Sequence, residues 1–157
     1  MNDEQIMEEL ITYGYEKMDK NNAYPFCSFV VKNGVIISRG YNSKVNLFGD
    51  KTTHGEMEAF SVACKTLQLK DLMFGKKYSL FTTCEPCLAC FDTALWHRVG
   101  KIVFSVSHKD FPEYFHEHKY TIEDFQKENP GFIEIKNGTL HNEGIALFRK
   151  AKEKYGW

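Results

Sequence analysis

Two short segments of the sequence contain residue types that bind metals and transfer protons. The first is THGEME at residues 53–58, and the second is TTCEPCLAC at residues 82–90. Cys87 and Cys90 stand three positions apart, so on one helical turn both sulfurs face the same side and can share one ion. His54 can supply a third ligand from a separate helix. Three protein ligands leave the fourth tetrahedral position open to water, which is typical of a catalytic zinc site.

Glu56 lies two residues after His54, within reach of a water molecule on such a metal. A carboxylate at this position can take a proton from water and pass it to a substrate nitrogen, then to a departing amine. Both segments are predicted at helix N-termini, where backbone N–H groups and the helix dipole favour anions such as thiolates. The pattern therefore predicts a hydrolytic zinc centre with Glu56 as its proton carrier.

Cys84 allows two alternative interpretations of the same cysteines. It could complete a closed structural zinc site as the fourth ligand, in a non-catalytic zinc-binding module. It could instead bind an iron–sulfur cluster as the first cysteine of Cys84-x-x-Cys87-x-x-Cys90. Both alternatives leave His54 and Glu56 without a role. We therefore expect Cys84 to end a strand as a small buried residue.

Size and charge restrict the class of protein and of substrate. The chain has 157 residues and a formal net charge of −1, with 43% hydrophobic and 26% charged residues. These values are typical of one folded domain, so residues 1–157 are predicted to form a single domain. A protein that binds a polynucleotide usually has more basic than acidic residues. The composition therefore favours a small-molecule substrate over nucleic acid.

The sequence also predicts a compartment. The N-terminus is acidic and polar, where a secretory signal needs a basic start and an apolar stretch. No apolar run approaches the roughly 18 residues needed to cross a bilayer. Three of the five cysteines lie within residues 84–90, which favours metal binding over disulfides in a chain without an export signal. We therefore predict a cytoplasmic protein with no membrane partner.

The hydrophobic pattern places the motifs on helices that alternate with strands. Apolar residues at helical spacing predict a first helix ending at Asn21-Asn22, and Asn33-Gly34 predicts a two-residue hairpin turn. The later predictions are a helix from residue 54, a strand at 78–83, a helix at 84–98 with Pro86 in its first turn, a strand at 101–106, and a last strand and helix at 132–135 and 142–155. This order predicts a layered α/β domain with parallel strand pairing after the opening hairpin.

His-x-Glu followed by Pro-Cys-x-x-Cys, here in residues 54–56 and 86–90, resembles the signature of the cytidine deaminase-like zinc-dependent deaminases. The resemblance extends from Phe26 through the last helix. It implies a three-layer α/β/α fold with a central mixed sheet of about five strands and helices on both faces. It also implies one Zn²⁺ per chain on the ligands named above, Glu56 as the catalytic residue, and a homodimer. The implied reaction is hydrolysis of a C–N bond in a cyclic amidine, with release of ammonia.

Three further residues are assigned to the substrate by resemblance alone. RGYNS around Asn42 resembles the Gly-x-Asn motif of guanine, fungal cytosine and tRNA adenosine deaminases, which implies that Asn42 binds substrate; the alternative is a turn residue. SVSHKD ending at Asp110 resembles a stretch of bacterial guanine deaminases, which implies that Asp110 contacts a base; the alternative is a helix cap. Aromatic residues near the chain end close the site in several free-base deaminases. By that resemblance Tyr155 or Trp157 would stack on the base, and the alternative is a hydrophobic plug on the last helix.

Together these matches imply hydrolytic deamination of a free nucleobase or related amino-heterocycle, guanine first and cytosine second. Gly55 supports this, because fungal cytosine deaminases carry glycine between the histidine and the glutamate, where the tRNA enzymes usually carry alanine. The main alternative is adenosine-to-inosine deamination in tRNA. The alternative from another class is the non-catalytic zinc-binding module.

Overall fold

The computed structural model describes residues 1–44, 49–68, 75–115 and 120–156, in which helices and strands follow the predicted order. The helices are α1 (Asp3–Asn21), α2 (Gly55–Leu67), α3 (Leu88–Trp96), α4 (Ile122–Glu128) and α5 (His141–Tyr155). The strands are β1 (Cys27–Lys32), β2 (Val35–Tyr41), β3 (Tyr78–Cys84), β4 (Lys101–Val106) and β5 (Glu134–Lys136). A 3₁₀ turn at His108–Asp110 follows β4. Among these helices, none has the length and apolar character that a membrane crossing requires.

The strands in the described ranges form a mixed sheet in the order β2-β1-β3-β4-β5. β1 pairs antiparallel with β2 and β3, whereas β4 is parallel to both β3 and β5. Asn33 and Gly34 join β1 to β2 with φ angles of 50° and 76°, which suit a two-residue hairpin turn. The prediction of parallel pairing after the opening hairpin is confirmed for β3, β4 and β5.

The strand directions bring four segments of the chain to one edge of the sheet. β2, β3 and β4 run in the same direction and β1 runs against them, so three carboxyl ends meet the amino end of β1. The four segments are those around Phe26, Asn42, Glu85 and Ser107. Side chains that leave the sheet at these points are neighbours, and such edges are where α/β sheets commonly bind ligands.

Helices cover both faces of the sheet, as the resemblance implied. On one face α1 and α5 pack against the central strands, and the buried residues Leu10, Phe81 and Leu147 belong to the hydrophobic cluster there. On the other face α2 and α3 contribute Phe60 and Phe91 to a second cluster. The three-layer α/β/α arrangement is confirmed.

α3 begins later than the sequence pattern predicted. Cys84 is the last residue of β3, and the helix predicted at 84–98 is observed at Leu88–Trp96. Proline lacks an N–H and disfavours helical geometry in the residue before it, so Pro86 precedes the helix and Cys87 is the N-cap. The prediction that Pro86 lies in the first helical turn is wrong. The expectation that Cys84 ends a strand as a buried residue is confirmed.

Two glycines allow the first turn of α2 to pack directly against the sheet. A side chain at Gly40 in β2 would collide with the backbone of Gly55 and Ala59, and one at Gly55 would lie 2.6 Å from the Phe26 carbonyl oxygen. Close packing of this kind leaves no room for a methyl group. These two glycines therefore set the distance between the sheet and the N-terminus of α2, where His54 and Glu56 lie on either side of Gly55.

Candidate active site

His54, Cys87 and Cys90 come together as a three-ligand cluster between two helix N-termini. His54 is the N-cap of α2, Cys87 is the N-cap of α3, and Cys90 lies in the first turn of α3. His54 Nδ1 lies 3.5 Å from Cys87 Sγ and 3.2 Å from Cys90 Sγ. The three ligand atoms all lie within 4.8 Å of one another. One imidazole nitrogen and two sulfurs at these separations fit a tetrahedral zinc ion with one open coordination position.

Hydrogen bonds within the cluster shift the pKa values of all three residues. The hydrogen bond from the Cys90 thiol, with help from His54, lowers the pKa of Cys87 to about 3 against the opposing effect of burial. The same hydrogen bond, together with burial, raises the pKa of Cys90, so one proton lies between the two sulfurs. The pKa of His54 rises to about 9, chiefly through its hydrogen bond with Cys87. A metal ion that binds both sulfurs must displace that proton.

Glu56 lies in the first turn of α2, beside the cluster. The residue is 7% exposed, and its carboxyl group forms a hydrogen bond with Cys90. Burial raises the pKa of Glu56 to about 7, with the Cys87 thiolate adding to the rise and His54 opposing it. A carboxyl group with this pKa can both take up and release a proton near neutral pH. Its position suits the proton carrier predicted from the sequence.

A cavity of about 530 Å³ opens beside the cluster, at the sheet edge where the four segments meet. This volume lies within the usual range of small-molecule sites, roughly 300–1,000 Å³. The lining combines two residues of the cluster, His54 and Cys87, with polar and aromatic side chains. The lining residues are Tyr24, Phe26, Asn42, Lys51, His54, Glu56, Glu85, Cys87, His108, Tyr114 and Phe115.

Asn42 is a polar group of this cavity with an unused acceptor. It directly follows β2 and is 5% exposed, and within the described residues its Oδ1 atom has no hydrogen-bond partner. Buried polar groups are normally hydrogen-bonded, so a free acceptor in a cavity indicates a position where a ligand N–H can bind. Asn42 lines the same cavity as His54 and Cys87, and the binding of substrate by Asn42 stays a prediction.

Glu58 holds the backbone on both sides of Asn42. Its carboxylate accepts hydrogen bonds from the Tyr41 N–H at 2.7 Å and from the Ser43 hydroxyl at 2.9 Å. Because Glu58 lies on α2, the helix that has His54 as its N-cap also fixes the position of the asparagine. The sequence analysis missed Glu58. The available signal, a second carboxylate in HGEME, is equally compatible with a solvated helix face.

The aromatic wall of the cavity combines residues from two distant segments. Phe26 precedes β1, whereas Tyr114 and Phe115 follow β4. The Phe26 ring stacks on Tyr114 with centroids 5.8 Å apart, and packs edge-on against Phe115 and Phe148 at 6.2 and 5.4 Å. Contacts on several sides fix the orientation of the stacked Phe26 and Tyr114 rings. The sequence analysis did not identify Tyr114 or Phe115, although their place in the loop after a strand of the predicted site was an available signal.

Asp110 lines a different cavity. Its carboxylate accepts a hydrogen bond from the Ser107 N–H at 2.7 Å, which caps the 3₁₀ turn, and lies 3.0 Å from His141 Nε2. Arg149 also lines this second, more open cavity. The contacts support the capping alternative, and a contact of Asp110 with a base stays a prediction. Trp157 lies outside the described residues, so its stacking on a base also stays a prediction.

A large part of the chain matches one known family. Residues 1–106 match the model of the cytidine and deoxycytidylate deaminase zinc-binding region. The chain belongs to the cytidine and deoxycytidylate deaminase family. The matched region contains the three-ligand cluster and Glu56, and the resemblance stated from the sequence is confirmed. The chain is therefore a zinc hydrolase that acts on C–N bonds, and His54, Cys87 and Cys90 form a group that could hold the zinc ion.

The relatives that this chain matches are named after different substrates. Guanine deaminase of Bacillus subtilis is 34% identical over 116 residues, which cover 72% of this chain and 70% of the relative. The tRNA-specific adenosine deaminase of Aquifex aeolicus is 38% identical over 85 residues, 54% of each chain. The solved structure of guanine deaminase from Nitrosomonas europaea has a TM-score of 0.75 at 23% identity. That match covers 91% of this chain and 82% of the other, and shows a shared fold.

Proposed function

We propose that the protein is a hydrolytic deaminase of free nucleobases or closely related amino-heterocycles, with guanine as the first substrate and cytosine as the second. The observation that carries the proposal is the shared cavity, in which buried Glu56 lies beside the zinc ligands and Asn42 offers an unused acceptor. The Bacillus subtilis relative named guanine deaminase supports the choice of guanine. The aromatic wall supports a flat heterocycle.

Each step of the reaction is assigned to a group of this chain. His54, Cys87 and Cys90 would hold zinc, which would supply the Lewis acidity that makes a water molecule nucleophilic near neutral pH. Glu56 takes one proton from the attacking water and delivers it to the ring nitrogen beside the amine-bearing carbon. It then takes the second proton from the hydroxyl group that has been added to this carbon and delivers it to the departing amino group, which leaves as ammonia. In the metal-free site burial raises the pKa of Glu56 to about 7, which favours uptake of a proton by this carboxyl group.

The substrate is oriented by one polar and one apolar contact. Asn42 Oδ1 accepts an N–H of the base, and the wall formed by Phe26 and Tyr114 covers the face of its ring. Guanine has more N–H donors than cytosine, which is consistent with guanine as the first substrate. Asp110 and Trp157 are kept as proposed contacts of the base on resemblance alone.

Ammonia release by the zinc-loaded protein tests the proposed function. We expect turnover of guanine, slower turnover of cytosine, and no release from guanosine, adenosine or a tRNA anticodon stem-loop. Turnover of the stem-loop would instead favour the tRNA alternative. The 38% sequence identity with the Aquifex aeolicus enzyme supports that alternative. Release from none of these substrates, with a fourth protein ligand on zinc by X-ray absorption spectroscopy, would establish the non-catalytic module.

Asn42→Ala is expected to raise KM for guanine without changing the zinc content. Loss of one buried hydrogen bond costs about 1–3 kcal/mol. This corresponds to a fall in kcat/KM of roughly tenfold to hundredfold. Asn129→Ala is the control, because Asn129 is exposed and, among the contacts described, its side chain bonds only the Phe125 carbonyl oxygen at the end of its own helix. Steady-state kinetics of both variants measure the difference, and an unchanged KM in Asn42→Ala would remove this residue from the substrate site.

The proposal extends to a cytoplasmic homodimer. Leu88 and Trp96, both on α3, are 50% and 77% exposed, and large apolar side chains at such exposure are typical of surfaces that subunits cover. The reducing cytoplasm keeps the two thiol ligands available to zinc. Light scattering of the purified protein measures the mass in solution. A mass of 18.3 kDa, that of one chain, would contradict the dimer.

A further inference from the structure

Glu85 is a buried carboxylate of the cavity that the proposed reaction does not use. It lies between the end of β3 and Cys87, and the residue is 3% exposed. Its backbone N–H donates to the Val106 carbonyl oxygen at 2.8 Å, which continues the contact between β3 and β4 past the end of β3. Glu56 carries the proton in the proposed reaction, so a second buried carboxylate beside the metal ligands requires a different explanation.

Three hydrogen-bond donors converge on this carboxylate. Oε2 accepts from the Ser107 hydroxyl at 2.8 Å and from the His108 N–H at 3.1 Å, and Oε1 accepts from the Ile122 N–H at 3.2 Å. A buried carboxylate loses its hydration and needs several donors in place of water. Both oxygens of Glu85 are therefore bound to the chain that follows β4.

The three donors lie at the two ends of the chain segment that contains Tyr114 and Phe115. We call the described residues of this segment, 107–115 and 120–122, the wall segment. Ser107 and His108 open this segment at the end of β4, and Ile122 closes it as the first residue of α4. Tyr114 and Phe115 lie between these ends, and the Phe115 ring packs on His108 with centroids 4.4 Å apart. Both ends of the segment are thus bound to one side chain.

We propose that Glu85 is a positioning residue that holds this part of the aromatic wall at a fixed distance from the zinc ligands, an inference that rests on the proposed function. The backbone of Glu85 is two residues from Cys87, and its side chain binds both ends of the wall segment. When these hydrogen bonds are lost, the wall segment moves, while the zinc ligands and Glu56 keep their own supports on α2 and α3. Glu85 therefore acts on the binding of the base and not on the binding of zinc.

Glu85→Gln tests this role, because the amide keeps the size of the side chain but has one acceptor oxygen in place of two. One end of the wall segment then loses its hydrogen bond. In the zinc-loaded variant we expect KM for guanine to rise by roughly tenfold or more and kcat to change by less than about threefold. The zinc content should stay at one ion per chain.

Ser105→Ala is the matched control. Ser105 is also buried near the end of β4, but its hydroxyl donates to the Leu140 carbonyl oxygen at 3.0 Å, at the start of α5. This variant should lose thermal stability without a change in KM. Ser107→Ala removes one donor and leaves the carboxylate, so it should raise KM in the same direction as Glu85→Gln. The effects of Glu85→Gln and Ser107→Ala should not add in the double variant, since both act on one network.

Amide hydrogen exchange gives a readout that does not depend on activity. In Glu85→Gln, peptides covering 107–115 and 120–128 should exchange faster than in Ser105→Ala, while peptides covering α2 should not change. Unchanged exchange, or an unchanged KM in the active enzyme, would overturn the positioning role. Loss of zinc would overturn it as well and assign Glu85 to the support of the metal site. If the wild-type protein releases ammonia from no substrate, the proposed function fails, and the exchange data still decide whether Glu85 holds the wall.

Discussion

Replacement of Glu56 by glutamine is expected to lower kcat for guanine by roughly 10²- to 10⁴-fold, the usual contribution of a positioned general acid–base group. The amide fits the same buried space and still accepts a hydrogen bond, but it cannot take up a proton at neutral pH. The zinc ligands are other side chains, so the metal content should stay at one ion per chain. An ammonia assay and metal analysis of the same sample measure both quantities.

Glu143→Gln is a suitable control for this variant. Glu143 also lies in the first turn of a helix, α5, but it is exposed to solvent. Its replacement removes the same charge from the same kind of position, and kcat should not change. A wild-type kcat in Glu56→Gln with zinc bound would show that another group carries the proton. Loss of zinc together with activity would move Glu56 from proton transfer to the support of the metal site.

Gly40→Ala is expected to destabilise the fold and the active site together. The added methyl group would occupy space now filled by the backbone of Gly55 and Ala59, and a backbone cannot rotate away as a side chain can. Overpacking of this kind costs about 1–3 kcal/mol or more, which lowers Tm by roughly 2–12 °C in a chain of this size. The displaced backbone flanks Glu56, so kcat/KM should fall even at temperatures where the protein stays folded.

Gly14→Ala serves as the comparison for this substitution. Gly14 lies inside α1, where a new methyl group would approach the tip of the Leu147 side chain at 2.9 Å. That side chain can shift, and alanine favours a helix interior by about 1 kcal/mol over glycine, so Tm should change little. Calorimetry and the ammonia assay applied to both variants measure the contrast. A wild-type Tm in Gly40→Ala would show that this glycine does not set the position of α2.

The metal ligands could be predicted from the sequence because their information is local. Cys87 and Cys90 lie within one helical turn, and His54 begins a helix whose pattern is visible in the residues that follow it. The start of α3 was misplaced even so. The bond from the Glu85 N–H to the Val106 carbonyl oxygen, which favours extended chain before Pro86, comes from another strand and leaves no mark in the local pattern.

The residues proposed to bind or position the substrate were less predictable, because their contacts join residues that are far apart in the sequence. The hydrogen-bond partners of the Glu85 carboxylate lie 22, 23 and 37 residues away along the sequence. Those of the Glu58 carboxylate lie 15 and 17 residues away. Hydrophobic periodicity records which face of a strand or helix is buried, and this was enough for the three layers. It does not record which polar side chain meets which backbone group. Asp110 illustrates this limit, since its cap on Ser107 is local while its approach to His141 spans 31 residues.

The attachment of the wall segment at both ends bears on how such an enzyme can change its preferred base. The residues proposed to break the C–N bond belong to the first 106 residues, the region that matches the family, whereas Tyr114 and Phe115 follow that region. Mutations within 109–115 alter the surface seen by the base and leave the bond-breaking groups untouched. A library confined to these positions, with Glu85 and its donors kept, is therefore the place where laboratory evolution of a new base preference should begin.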